Sequence, residues 1–163
     1  VKQANADAVK SAQSFALTAV ALYDGFISCW DEKYRSRLIR PETYINRYID
    51  EDWLPLLQTP PFPEYTSGHS VASNAAAEAL TSLFGEPFHF VDSTEVNYGL
   101  PVREFDSFRQ AADEAAISRL YGGIHYMPAI VYGSTKGKNI GNHLVENVKT
   151  KSPSFSPMAE NKK

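Results

Sequence analysis

The sequence predicts an all-α fold, a helical bundle, and three features of its 163 residues carry that expectation. Apolar side chains recur every seven residues through the first thirty positions, an alanine-rich segment runs from a serine cap to a glycine stop, and a capping box opens a further helix. In the first segment Ala12, Ala19 and Phe26 form one such row, and Val9, Ala16, Tyr23 and Trp30 form a second beside it. No strong helix breaker precedes Pro41, and Gly25 is tolerable within a packed helix. A polar, proline-bearing stretch from Thr59 leads to Ser67, a credible N-cap for a helix over about 68–84. Val71, Ala75, Leu80 and Leu83 mark the packing face of that helix, and Gly85 ends it. Residues 85–105 hold no sustained period and read as loop, with Pro87, Gly99 and Pro101 inside. Ser107 with Gln110 starts a helix that ends near Gly122-Gly123. A last helix begins between His125 and Ala129 and reaches about Lys149, with Gly133, Gly137 and Gly141 laying bare one face for a close neighbour. The expected organisation is therefore one helical-bundle domain over 1–150 and a loose tail rich in Ser, Pro and Lys over 151–163.

Composition narrows the function. The formal net charge is −3, which argues against nucleic acid as a partner, since that binding is driven by excess positive charge. The most apolar run, Phe15 to Tyr23, is about half the ~20 residues a bilayer span requires, so no membrane span is expected and the chain reads as soluble. The lone cysteine, Cys29, has no internal disulfide partner and reads as a small buried hydrophobe. The chain starts at Val1 and runs straight into helical pattern, and it reads as a piece of something longer.

Chemistry enters where charge interrupts the apolar pattern. Two further steps along the row of Ala12, Ala19 and Phe26 reach Lys33 and Arg40. Cations on a core-facing stripe need a partner, because burying an unpaired charge costs several kcal/mol or more. Alternatively both bend outward, or pair with Asp31, Glu32 or Glu42. Ser67-Gly68-His69 stands at a helix start, where free N–H groups and the positive end of the helix dipole favour an oxyanion. Read alone it is equally a simple N-cap with an incidental histidine. Ser118-Arg119 precedes His125, and the Gly122-Gly123 pair permits a break that would let Arg119 and His125 converge. Read alone, His125 is a core histidine satisfied by a carbonyl. Together the three segments supply three cations, helix-terminal donors and two histidines. That is the inventory for a tetrahedral anion that expands to five-coordination.

Lys33-x6-Arg40-Pro41, Ser67-Gly68-His69 and Ser118-Arg119-x5-His125 resemble, in order and spacing, the three-part signature of the vanadium-dependent haloperoxidase and type 2 phosphatidic acid phosphatase superfamily. Trp30-Asp31-Glu32-Lys33-Tyr34, Pro61-Phe62-Pro63-Glu64-Tyr65 and Gln110-Ala111-Ala112-Asp113-Glu114-Ala115 are similar to the soluble haloperoxidase branch. The resemblance implies a catalytic domain in which His125 binds the vanadium of vanadate and His69 acts as acid–base. Lys33, Arg40, Ser67, Gly68 and Arg119 would hold the oxyanion's oxygens. It further implies hydrogen peroxide and halide as substrates, yielding hypohalous acid, with phosphate able to occupy the same pocket. One rival is a soluble acid phosphatase, in which His125 attacks a phosphate ester to form a phosphohistidine. Another is a non-catalytic oxyanion-binding module. An extracytoplasmic home, periplasmic or secreted, suits a peroxide-using enzyme, and additional helices or a partner chain would complete a domain shorter than whole haloperoxidases. The sequence departs from the pattern at Ala129, where an Asp usually stands, and at Thr66, where Pro is common. With no carboxylate at 129, a carbonyl of the Gly122-Gly123 turn is the expected partner of His125.

Overall fold

A computed structural model describes residues 1–150 of the chain; the expected tail at 151–163 lies outside the described residues. Five α-helices follow in order: α1 (Ala8–Ser36), α2 (Pro41–Tyr48), α3 (Gly68–Phe84), α4 (Phe108–Tyr121) and α5 (Met127–Asn147). Helix α3 is the hub and packs against α1, α4 and α5. The apolar centre is built from Leu17, Ala21, Ala75, Ala79 and Leu144, with Leu83 and Ile140 packed on it. No helix among the described residues is long and apolar enough to cross a membrane.

Helix α1 corrects the expected rows. The buried residues are Gln13, Leu17, Ala21, Gly25, Cys29 and Lys33, spaced by four, with Ser14 beside them. Val9, Tyr23 and Phe26 of the expected rows are exposed, as are Ala12, Ala16 and Ala19. Ala21 and Gly25 in the middle of this face let α3 approach closely, and much of the bulk of α1 lies on its flanks. The helix also stops at Ser36, four residues before Arg40. Arg37 takes a left-handed conformation and donates its N–H to the Lys33 carbonyl, so Arg40 reaches its place through an extended linker and forms the N-cap of α2. Lys33 is nonetheless fully buried and Arg40 nearly so. Cys29 is buried as expected, its thiol 3.4 Å from the Thr66 carbonyl.

The remaining starts and stops follow local chemistry. Ser67 Oγ accepts from the Ser70 N–H, and Ser107 Oγ accepts from the Gln110 N–H. Gln110 reaches back to the Asp106 N–H, one residue earlier than a capping box would have it. Gly133, Gly137 and Gly141 of α5 lie against Ser70, Val71, Asn74, Ala75 and Glu78 of α3, the close contact their spacing implied. The segment 85–105 is not all loop. Two short strands, β1 (Phe90–Asp92) and β2 (Arg103–Phe105), pair antiparallel with Phe90 opposite Phe105. Phe88 and Phe90 both stack on Phe108, so aromatic burial closes a hairpin where no periodic signal showed.

Candidate oxyanion site

A cavity of about 530 Å³ opens between α1, α3 and the turn joining α4 to α5. Arg40, Gly68, His69, Arg119 and His125 line it, beside an apolar wall of Leu22, Phe26, Trp30, Phe62 and Ile124. Five of the seven motif residues thus converge, although they come from three separate segments. The other two, Lys33 and Ser67, do not line it. They are fully buried behind its wall. Lys33 Nζ donates to the carbonyls of Pro63 and Glu64, each at 2.9 Å, and lies over the rings of Trp30 and Phe62. Ser67 Oγ is engaged as the α3 cap. Neither Asp31, Glu32 nor Glu42 pairs with the two cations; Asp31 binds Arg35 instead. A larger cavity of about 610 Å³ lies between α1 and α5 beside Tyr65 and Thr66, and holds none of the motif residues.

The turn after α4 does what its glycines allow. Gly123 takes a positive φ of 73°, which favours glycine, and a Cβ on Gly122 would lie 2.6 Å from Leu57 Cδ1, so that side chain would have to move aside. The break brings His125 back toward Arg40. Arg40 Nη1 donates to the Ile124 carbonyl at 2.8 Å and lies 3.0 Å from His125 Nε2, while its Nε donates to the Phe62 carbonyl. Arg40 Nη2 is buried with no partner among the described residues. Arg119 Nε is steered by Ser118 Oγ at 3.0 Å.

The sequence reading missed Glu64. It is 1% exposed, and its Oε1 lies 2.7 Å from His125 Nδ1 while accepting the Tyr126 N–H at 3.0 Å. His125 is therefore partnered by a carboxylate and not by a carbonyl of the glycine turn. The Gly122 carbonyl is already engaged by the Leu57 N–H, and Ile124 supplies its own to Arg40. The available signal was an acidic residue set among prolines and aromatics, Pro61-Phe62-Pro63-Glu64-Tyr65, with no Lys or Arg near it in sequence.

Electrostatics favour an anion. Burial pulls the Lys33 ammonium down to about 8, helped by Arg40 and opposed by Cys29 and Glu64. Burial also lowers the pKa of Arg40 and of Arg119. His125 is lowered first by burial and then by Arg40 and Lys33, against the raising effect of Glu64. His69 stands at the rim with much of its surface open, yet partial desolvation, then Arg119 and His125, lower its pKa too. All these shifts have burial as their first cause, with neighbouring positive groups adding to it at Lys33, His69 and His125, and a negative group would offset the cost. Among the described residues no three His, Cys, Asp or Glu side chains gather as cation ligands would. The unpartnered Arg40 Nη2, the α3 N-terminus at Gly68 and the excess of positive groups fit a tetrahedral oxyanion such as vanadate or phosphate.

Residues 13–152 match the family model for the VCPO second helical-bundle domain. The chain belongs to the vanadium haloperoxidase family. The described fold is similar to a crystal structure of a bacterial vanadium-dependent iodoperoxidase, with 59% identity over 91% of this chain and 36% of that one and a TM-score of 0.89. It also shares the fold of a bacterial vanadium-dependent chloroperoxidase at 20% identity, in holo and apo forms with TM-scores of 0.68 and 0.67, over 80% of this chain. No curated protein sequence matches the chain. The chain spans about a third of the length of these solved relatives.

Proposed function

We propose that this domain binds vanadate and serves a haloperoxidase that oxidises halide, iodide first among them, with hydrogen peroxide. The carrying observation is the buried Arg40 guanidinium, whose Nη1 lies 3.0 Å from His125 Nε2 and whose Nη2 has no partner among the described residues, in a cavity that also gathers Arg119, His69 and the start of α3. The halide follows from the 59% identity to a vanadium-dependent iodoperoxidase.

Arg40 and Arg119 supply guanidinium donors, and the first turn of α3 adds the Gly68 N–H. Lys33 contributes charge from behind the wall. His125 would hold the vanadate through its neutral ring nitrogen Nε2. Vanadate, when bound, supplies the electrophilic centre that activates peroxide toward halide. His69 stands at the rim, where its depressed pKa keeps it neutral and able to take up a proton from peroxide. The rings of Trp30 and Phe62 flank the site and lower the local dielectric beside Lys33 and Arg40, which strengthens charge interactions there.

Phosphate would use the same donors, so two activities are measured side by side: iodide oxidation after vanadate loading, and hydrolysis of a phosphate monoester. Iodide oxidation with no hydrolysis supports this reading. Hydrolysis alone replaces it with a phosphatase, and anion binding with neither activity leaves a binding module.

A further inference from the structure

Glu64 is the most deeply buried carboxylate in contact with the site, and its contacts run in three directions. Its backbone N–H donates to the Leu38 carbonyl at 2.9 Å and its own carbonyl accepts Lys33 Nζ. Its side chain meets His125 Nδ1 and the Tyr126 N–H at the entry to α5, an end where no side chain of α5 caps the helix. One residue thereby ties the end of α1, the α1–α2 linker and the start of α5 around a single imidazole.

The two neighbours of His125 determine its proton arrangement independently. A guanidinium has donors and no acceptor, so at 3.0 Å from Arg40 Nη1 the Nε2 atom must be the one that accepts. The proton of the neutral ring then resides on Nδ1, where the Glu64 carboxylate oxygen at 2.7 Å is the acceptor it needs. Ala129, one turn into α5, is buried with only a methyl group and offers His125 nothing. The carboxylate comes instead from the segment before α3, 61 residues away.

We propose that Glu64 is the positioning residue of this site: it accepts the hydrogen bond from His125 Nδ1–H, fixing the ring plane and tautomer so that Nε2 keeps an unprotonated lone pair, which Arg40 Nη1 engages until an oxyanion takes its place. This deepens the function proposed above and rests on it only for the identity of the ligand. A carboxylate with a mere packing role could be replaced by any group that preserves the fold. A positioning carboxylate cannot, because deleting it frees the ring to turn and to exchange tautomers, and a metal-binding histidine that loses such a partner commonly gives up 10–100-fold in affinity.

The test compares the protein with its Glu64→Ala and Glu64→Gln variants, folding being verified by circular dichroism. Two-bond proton–nitrogen correlation on histidine-labelled protein reads the His125 tautomer in the absence of any anion, and an equilibrium titration reads vanadate affinity. The expected result is an Nδ1–H tautomer in the unaltered protein, a mixture in Glu64→Ala, and retention in Glu64→Gln, whose amide oxygen still accepts. Vanadate affinity should fall about 10–100-fold in Glu64→Ala and less in Glu64→Gln. An unchanged tautomer and unchanged affinity in a folded Glu64→Ala overturns the assignment, as does a Glu64→Gln variant that loses the tautomer as fully as Glu64→Ala. If the unaltered protein shows the expected tautomer but binds no vanadate, the functional reading fails and the assignment of Glu64 stands.

Discussion

Replacing Gly137 with alanine tests the contact that holds the site's two flanking helices together. A Cβ at this position of α5 would lie 2.3 Å from the Val71 carbonyl oxygen and 2.9 Å from Asn74 Cβ. The obstacle is backbone of α3 and cannot rotate aside, so the helices must separate by about 1 Å to restore ordinary contact. Overpacking of a core costs about 1–3 kcal/mol, and contact with rigid backbone belongs at the upper end. Alanine regains about 1 kcal/mol of helix propensity over glycine, which leaves a net loss of about 2 kcal/mol. For a domain of this size that corresponds to a melting temperature lower by about 4–8 °C. Gly25→Ala is the internal comparison, because its Cβ would meet Ala72, Ala75 and Val71 at 3.6 Å, an ordinary distance. That variant should be neutral or gain up to about 1 kcal/mol from propensity. Thermal unfolding followed by circular dichroism at matched protein concentration decides the matter. A Gly137→Ala variant as stable as the parent, or one less damaged than Gly25→Ala, would refute the reasoning.

The two histidines should separate by role. His125→Ala should abolish tight vanadate binding in an equilibrium titration. His69→Ala should leave binding in place and lower turnover by about 10²–10⁴; equal loss of binding in both would show the division to be wrong. Phosphate affinity, probed where the dianion keeps a constant charge, should fall as pH rises through about 8, where Lys33 loses its proton in the folded protein. Lys33→Met should remove that dependence. The sign for stability is opposite: between about 8 and the ordinary lysine value of 10.5 the unfolded chain binds more protons, so Lys33's own contribution to the stability of the anion-free protein rises with pH in that window. Ala129→Asp should lower the melting temperature without tightening vanadate, since Glu64 already holds His125 and a carboxylate buried at a 1% exposed position lacks a partner. Tighter vanadate binding in a titration of that variant would contradict this.

The parts of the fold that were legible in sequence are those that local chemistry decides. Ser67 and Ser107 cap helices because their hydroxyls serve free N–H groups within three residues, and Gly122-Gly123 breaks one because backbone conformation is a property of the residue itself. The orientation of α1 was not legible from hydrophobicity, because its packed row of Gln13, Leu17, Ala21, Gly25, Cys29 and Lys33 is small or polar except at Leu17. Val9, Tyr23 and Phe26, the bulky members of the expected rows, lie exposed. Helix α2 could have been read from Pro41 at its first position and Glu42 in its first turn. The motif spacing brought forward every cation and histidine of the cavity, but no local spacing could pair Glu64 with His125 across 61 residues. Nor could it show that Lys33 gives two of its three hydrogens to carbonyls behind the wall.

The central claim is that one oxyanion sits between the guanidiniums of Arg40 and Arg119 with His125 Nε2 as its only protein ligand. Diffraction from vanadate-loaded crystals, with the vanadium located by anomalous scattering, tests it directly. The account predicts a single strong peak in the cavity at bonding distance from His125 Nε2, with Arg40 Nη2 donating to one of the oxygens. A vanadium peak elsewhere in the molecule, or one in the cavity bonded to His69 and not to His125, would contradict it.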